Sequence, residues 1–294
     1  MKRFSDLEAL DAGFRRLGYM AERSLLTPLF LLTRLGRPLL LEGHAGVGKT
    51  GTAKVLAQLL GVELIRLQCH EGLDVNSTIY EWNYQKQLLA IKLHEKSDAS
   101  PESIERHIFG PEFLLERPLL RAVTHKDGPV VLLIDEVDRA DEEFEAFLLE
   151  LLSDFQITIP EVGTITATHP PFVVLTSNRT RELSDALKRR CLYHWIDYPS
   201  AEREREILRH KVPQITEDLA RQVVELVQSL RGLQLEKPPG VAETLDWAIA
   251  LLALGLTGLD EEVLQATKGC LLKSTEDFRV LQSQLGSLLA AAGD

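Results

Sequence analysis

Apolar residues recur at Leu7, Leu10, Phe14 and Leu17, the three-to-four spacing of a helix, and helical character fills the first 35 or so residues. Pro38–Glu42 then reads as a short buried strand running into a glycine-rich turn. Thr50–Leu60 reads as a helix ended by Gly61, and Val62–Gln68 as a second strand. Residues 71–112 break the pattern. Trp82, Tyr84 and Leu88–Leu93 mix with the polar stretch HEKSDASPESIERH, which predicts an insertion holding a β-hairpin or a short helix, then a loop. Gly128–Pro129 signals a turn before VVLLIDEVD, a buried strand by length, flanks and β-branched content. Phe144, Phe147, Leu148, Leu151, Leu152 and Phe155 lay one apolar stripe along a helix. Gln156–Thr168 alternates around Gly163 as a hairpin does, and Phe172–Thr176 is another buried strand.

Beyond Tyr198–Pro199 strand signals vanish. Helical periodicity takes over, broken at Gly232, at residues 237–240 and at Gly255–Gly258. This order predicts an α/β domain over 1–199, with the insertion at about 71–112 and the hairpin at about 156–170, followed by an all-helical domain over 200–294.

Charge and cysteine content narrow the classes. The 294 residues carry 33 Lys+Arg against 44 Asp+Glu, a formal net charge of −11. That balance argues against a general nucleic-acid coat, whose phosphate contacts need clustered cations. Cys69, Cys191 and Cys270 are too widely spaced for a disulfide framework or a metal motif, as suits a reducing cytosol. Leu25–Leu41 is interrupted by Thr27, Pro28, Thr33, Arg34, Arg37 and Pro38, so it lacks the ~20 apolar residues of a membrane span. The opening MKRFSDLEALD turns acidic where a signal peptide needs its apolar run. A soluble, cytoplasmic protein without membrane insertion is expected.

The residues from Gly43 to Thr50, GHAGVGKT, match G-x-x-x-x-G-K-[ST] between an apolar strand and a helix. Glycines at Gly43, Gly46 and Gly48, with the neighbouring backbone of Val47 and Gly51, let successive N–H groups turn inward around an anion at a helix N-terminus. Lys49 would reach the β- and γ-phosphates, and the Thr50 hydroxyl would ligate Mg²⁺. A chance match in a chain of this length has odds of about one in a hundred.

Asp135 and Glu136 end the apolar strand VVLLID, and parallel sheets gather ligands at the carboxyl ends of their strands. Asp135 would hold Mg²⁺ through water, and Glu136 would orient and deprotonate the attacking water. An acidic pair alone more often begins a solvated loop. Its company with the phosphate loop makes it a candidate site.

The phosphate loop, LLIDEVDRA and VVLTSNRTRELSDALKRRC together resemble an AAA+ ATPase, and the MoxR family in particular. ITIPEVGTITATHPPFVVLTSN resembles the hairpin before that family's sensor 1, and residues 71–112 lie where its helix-2 insertion falls. KPPGVAETLDWA and ALKRRCLYHWIDYP resemble the CoxD-like branch associated with carbon monoxide dehydrogenase maturation. The likeness spans about residues 20–290. It implies a P-loop AAA+ parallel sheet flanked by helices, with a smaller all-α lid and nucleotide between them. It also implies ATP and Mg²⁺ as cofactors, Asn178 as sensor 1, and Arg190, with Arg189 as second choice, as an arginine finger reaching a neighbour's γ-phosphate. Further implications are a hexameric homo-oligomer, a separately encoded von Willebrand A domain partner and a molybdenum-containing client.

Two departures stand out. His44 and Ala45 replace the two prolines often found in this family's loop, at positions that need no side chain for phosphate contact. Where many AAA+ lids place the sensor 2 arginine, GVAETLDWA offers Glu243, which a γ-phosphate would repel; Arg231, Lys237 or nothing fills that role. The first function expected is therefore a ring ATPase that remodels or matures a client. A nucleotide-gated assembly scaffold with negligible turnover is the alternative from another class. A GTP-driven nucleic-acid motor subunit ranks below both, since Asn76, Asn83 and Asn178 begin no N-K-x-D motif and no DNA-binding domain is attached.

Overall fold

The computed structural model describes residues 4–94 and 107–293, so most of the polar stretch in the insertion lies outside the described residues. Contacts divide the chain into two compact units. The first comprises residues 1–11, 22–42 and 52–194; the second comprises residues 12–21, 43–51 and 195–294.

The first unit begins with α1 (Leu7–Arg16, shared with the second unit) and α2 (Arg23–Leu35), then β1 (Leu39–Gly43). After the phosphate loop come α3 (Lys49–Leu60), β2 (Leu64–Gln68), α4 (Val75–Ile79), β3 (Tyr80–Trp82), α5 (Tyr84–His94), β4 (Leu114–Glu116) and α6 (Pro118–Thr124). Next are β5 (Val131–Asp135), α7 (Glu142–Asp154), β6 (Gln156–Ile159), β7 (Gly163–Thr166), β8 (Phe172–Ser177), α8 (Asp185–Arg190) and β9 (Leu192–Ile196). The main sheet is parallel and five-stranded, in the order β2-β5-β8-β1-β9. Leu39 stands opposite Val174, and Ile134 opposite Leu175.

The three inner strands β5, β8 and β1 are buried at every residue, which is why their sequences run apolar up to their carboxyl ends. Edge strand β2 alternates buried and exposed positions instead. Helix α7 sends Phe144, Leu148, Leu151 and Leu152 into the core, as its stripe predicts. Asp141 caps its first turn by accepting the Phe144 N–H, and Phe155 ends it in the left-handed region at φ 49°.

Of the two structures its sequence leaves open, the described part of the insertion forms the helix, and its strand pairs with a segment just beyond the expected bounds. Tyr80–Trp82 pairs antiparallel with Leu114–Glu116, and α5 lies between them in the chain. Its two aromatics part company. Trp82 packs edge-to-face on Tyr80 and Phe109, whereas Tyr84 is exposed on α5. The hairpin at 156–170 forms as β6 and β7. Strand β9 carries no apolar run and was not evident from periodicity. Its residues LYHWI sit at the sheet edge with mixed exposure.

The second unit is helical beyond β9: α9 (Ala201–Lys211), α10 (Glu217–Arg231), α11 (Val241–Ala253), α12 (Glu261–Leu271) and α13 (Thr275–Gly293). Leu219, Val223, Leu226, Leu230, Trp247 and Leu264 form its core, and the Trp247 indole donates to Thr267 Oγ1 at 2.8 Å. Ser200, Thr216 and Asp260 cap α9, α10 and α12. Helix α9 reads from its charge pattern as solvated, yet Glu204 is only 1% exposed. Its carboxylate takes both terminal nitrogens of Arg231, at 2.6 and 2.7 Å, along with Thr244 Oγ1 and Gln228 Nε2. Partners 24 to 40 residues distant in the chain satisfy this charge, beyond the reach of an i,i+4 reading.

Candidate nucleotide site

The phosphate loop is built on backbone conformation. Gly46 and Gly48 sit at φ 75° and 97°, left-handed values that a side chain would strain. A Cβ on Gly43 would lie 2.2 Å from the Ile196 carbonyl oxygen, so only glycine fits there. Lys49 is buried, and its ammonium donates to the Gly43 and His44 carbonyls at 2.7 and 2.6 Å. The Tyr19 hydroxyl donates to the Gly48 carbonyl at 3.3 Å, its ring lying against Gly48 and Gly51. Val47 and Thr50 are half-buried at the start of α3. His44 stacks on Tyr198 at 4.5 Å and meets Trp195 edge-on, so it is held as a packing residue of the loop.

Helical residues of the same unit lie against this loop. Gly240 Cα lies 3.1 Å from where a Cβ on Gly46 would stand, and the Ala242 N–H donates to the Gly46 carbonyl at 3.3 Å. Glu243 turns its carboxylate onto the Gly240 N–H at 3.0 Å and so caps α11. Arg231 is bound to Glu204, donates through Nε to the Pro239 carbonyl at 2.7 Å and lies over the Tyr198 ring. It is therefore a buried strut of the lid. Lys237 is exposed.

A separate network lies at the carboxyl ends of β5 and β8. Thr176 donates to Asp135 Oδ1 at 2.6 Å and accepts the Glu136 N–H at 2.9 Å. Asp138, 2% exposed, accepts from the Asn178 N–H at 3.2 Å and from both the N–H and hydroxyl of Thr180. Thr176 thus spaces Asp135 from Glu136, and Asp138 holds the backbone of Asn178 beside Thr180. The Asn178 side-chain amide makes no hydrogen bond among the described residues. Glu136 occupies the left-handed region at φ 56°, a strained placement of the kind that gathers at working sites, and its carboxylate pairs with Arg139 at 2.8 Å. Asp135 Oδ2 accepts from Arg66 Nε and Nη2 at 3.0 and 2.5 Å. A cavity of about 590 Å³ opens beside Asp138, lined also by Glu71, Arg139, Asp141, Thr180 and Arg181. The Cys69 thiol is pushed up to about 12, by burial first and then by the charges of Asp135, Asp138 and Glu136.

Arg190 and Arg189 lie elsewhere, on the last turn of α8. Arg190 Nε donates to Ser153 Oγ on α7 at 2.7 Å, and its Nη1 to the Ala186 carbonyl at 3.2 Å. Arg189 is exposed. Cys191, next in the chain, is buried and its thiol is pushed up to about 12 by burial, as befits a packing residue.

The residue types suit ATP with Mg²⁺. Gly46 and Gly48, in the second unit, take left-handed values of the kind that let loop backbone cradle an anion, and Asp135, in the first, is a hard, buried carboxylate. Among the described residues no cluster of three or more His, Cys, Asp or Glu could hold a metal unaided. One carboxylate and a hydroxyl are what Mg²⁺ needs when nucleotide phosphates supply most of its ligands.

Sequence reading missed Thr176, Asp138, Arg66 and Arg139 as members of this network. Thr176 had a signal, being a lone hydroxyl in the otherwise apolar run FVVLT; Arg66 had none beyond its place on β2.

A glycine loop after β1, acids after β5 and this strand order define a P-loop ATPase fold. Residues 38–191, just over half the chain, match the AAA domain (dynein-related subfamily), and the chain belongs to that family. It is 26% identical over 253 residues to the denitrification regulatory protein NirQ of Stutzerimonas stutzeri, covering 82% of this chain and 80% of that one. NirQ of Pseudomonas aeruginosa is 26% identical over 234 residues, 76% of this chain and 79% of that protein. Among solved structures, a point mutant of RuvB from Thermotoga maritima shares the fold with a TM-score of 0.53 at 17% identity, covering 99% of this chain and 86% of that chain. No described helix is long and apolar enough to cross a membrane.

Proposed function

We propose that this protein is an ATP-hydrolysing ring ATPase of the MoxR type, acting in the cytoplasm to remodel or mature a client protein. The observation that carries the reading is the network in which Thr176 ties Asp135 to Glu136 while Asp138 holds the backbone of Asn178. It supports reading Asp135 as the metal-ligand carboxylate, Glu136 as the base and Asn178 as the water-holding residue, the set that phosphoryl transfer to water requires.

In this reading the backbone of Gly43, Gly46, Val47, Gly48 and Gly51 and the Lys49 ammonium bind the phosphates. Thr50, and Asp135 through water, would hold Mg²⁺, which would supply neutralising charge to the phosphates. Asn178 holds the attacking water and Glu136 takes its proton, leaving ADP and phosphate. Arg190, or its exposed neighbour Arg189 on the last turn of α8, meets the charge on a neighbouring subunit's γ-phosphate in a hexameric ring, as the family resemblance implies.

The relatives named as denitrification regulatory proteins favour a regulatory role. The motifs shared with the CoxD-like branch favour a molybdenum-containing dehydrogenase as client, with a von Willebrand A domain protein as partner. The test is ATP turnover by wild type and Glu136→Gln, with ATP and GTP competed against a fluorescent nucleotide. The reading expects ATP-preferring binding in both and turnover in wild type alone.

One observation favours the second reading, a nucleotide-gated scaffold. Arg231 is committed to Glu204, and Glu243 caps its own helix, so neither brings a cation to a γ-phosphate. Nucleotide-dependent assembly without turnover, with or without a partner, would establish it.

A further inference from the structure

Asp135, the carboxylate assigned to Mg²⁺, already carries a cation from its own chain. Arg66 reaches it from the adjacent parallel strand, where Gln68 stands opposite Asp135 and Arg66 opposite Leu133. Two guanidinium nitrogens bind Oδ2, and Nη2 also contacts Gln68 Oε1, which fixes the head of the side chain. The pair is lopsided. The Asp135 side chain is 3% exposed, while that of Arg66 is 45% exposed. A buried carboxylate left without a counter-charge is costly, and Glu136 and Asp138, next along the chain, add negative charge nearby. A half-exposed guanidinium, by contrast, can swing into water at little cost. The arrangement balances the acid while keeping its counter-ion removable.

We infer that Arg66 is a resident counter-ion of the metal-ligand carboxylate, a positioning residue that yields Asp135 to Mg²⁺ and thereby sets how strongly nucleotide binding depends on the metal. This rests on the ATPase reading above. Two consequences follow from charge alone. Without metal, Arg66 neutralises Asp135 and spares the phosphates its repulsion. With metal, Arg66 must be displaced, which weakens the hold on Mg²⁺. Removing the guanidinium should therefore weaken metal-free binding and sharpen the response to Mg²⁺. A residue that merely packed β2 would shift both affinities together.

The experiment measures affinity for a fluorescent, non-hydrolysable ATP analogue in EDTA and across a Mg²⁺ series, for wild type, Arg66→Gln and Arg66→Lys, with thermal unfolding to verify folding. The ratio of metal-free to metal-saturated Kd should rise about five- to tenfold in Arg66→Gln, the span between an exposed ion pair and a charge-assisted hydrogen bond. The half-saturating Mg²⁺ concentration should fall. Arg66→Lys, which keeps the charge, should stay within about twofold of wild type. Arg66→Met, keeping the aliphatic stem, repeats the test should the glutamine variant unfold. An unchanged or lower ratio in the uncharged variants, with wild type responding to Mg²⁺, overturns this inference and leaves the ATPase reading standing. If wild type binds no nucleotide at any Mg²⁺ concentration, the ATPase reading falls and takes this one with it.

Discussion

The Thr176 hydroxyl stands 2.6 Å from Asp135 Oδ1 and joins two strands at the point where the acid pair begins. Thr176 Oγ1 in turn accepts the Glu136 N–H, so a single side chain spaces Asp135 from Glu136. Thr176→Val should lose both bonds and leave a buried carboxylate oxygen and a backbone N–H short of a partner, a cost of about 1–3 kcal/mol. ATP turnover is expected to fall at least tenfold, with Thr176→Ser close to wild type. Steady-state kinetics alongside thermal unfolding separates the loss of positioning from the loss of fold.

Glu136 is held at φ 56° with ψ 49°, a backbone conformation that suits glycine far better than glutamate. Glu136→Gly should relieve strain of about 1 kcal/mol, offset in part by the lost Arg139 pair. Expected is a melting temperature equal to or above wild type in a protein without turnover. A clear drop in melting temperature would show that the left-handed placement is not strained.

In the lid, Glu204 and Arg231 form a pair buried on both sides, with side chains 1% and 6% exposed. Glu204→Ala would strand the guanidinium, at about 3–5 kcal/mol by the usual cost of a widowed buried charge. Denaturant unfolding of Glu204→Ala should show the lid lost first or the whole transition moved down. The double change Glu204→Leu with Arg231→Met, which removes both charges, should recover most of that loss.

Cys69 and Cys191 are buried with thiols pushed up to about 12, while Cys270 is partly exposed. Native protein at pH 8 should therefore react rapidly with a thiol reagent at Cys270 alone, all three cysteines reacting after unfolding. The sign for stability follows. Both folded values lie above the ordinary 9.0, so the unfolded chain gives up these protons first. Their contribution is complete below about pH 9 and is lost as pH rises toward 12. Labelling at pH 8 and unfolding midpoints from pH 8 to 11 check both halves.

Much of the α/β unit was legible because its inner strands are buried on both faces. That burial forces the apolar runs that open Leu39–Gly43, Val131–Asp135 and Phe172–Ser177, with polar residues confined to their carboxyl ends. The phosphate loop was legible for a different reason: its chemistry needs particular residues at fixed spacing along one stretch of chain. What stayed hidden depends on neighbours across the fold. Strand β9 is at an edge, so Tyr193, His194 and Trp195 show no core pattern. The burial of Glu204 depends on Arg231, Thr244 and Gln228, and the counter-ion role of Arg66 on a strand about 70 residues away. Periodicity registers what a residue faces on average, not which single partner it meets.

The most direct measurement is ATP turnover per subunit against protein concentration, for wild type, Glu136→Gln, Arg190→Ala and Arg189→Ala, singly and mixed. If the site is shared between subunits of a ring, wild-type specific activity climbs with concentration and Glu136→Gln is inactive. At least one arginine variant is then inactive too, and mixing it with Glu136→Gln restores part of the turnover, since each supplies what the other lacks. Turnover that is independent of concentration, with both arginine variants active, would contradict the account.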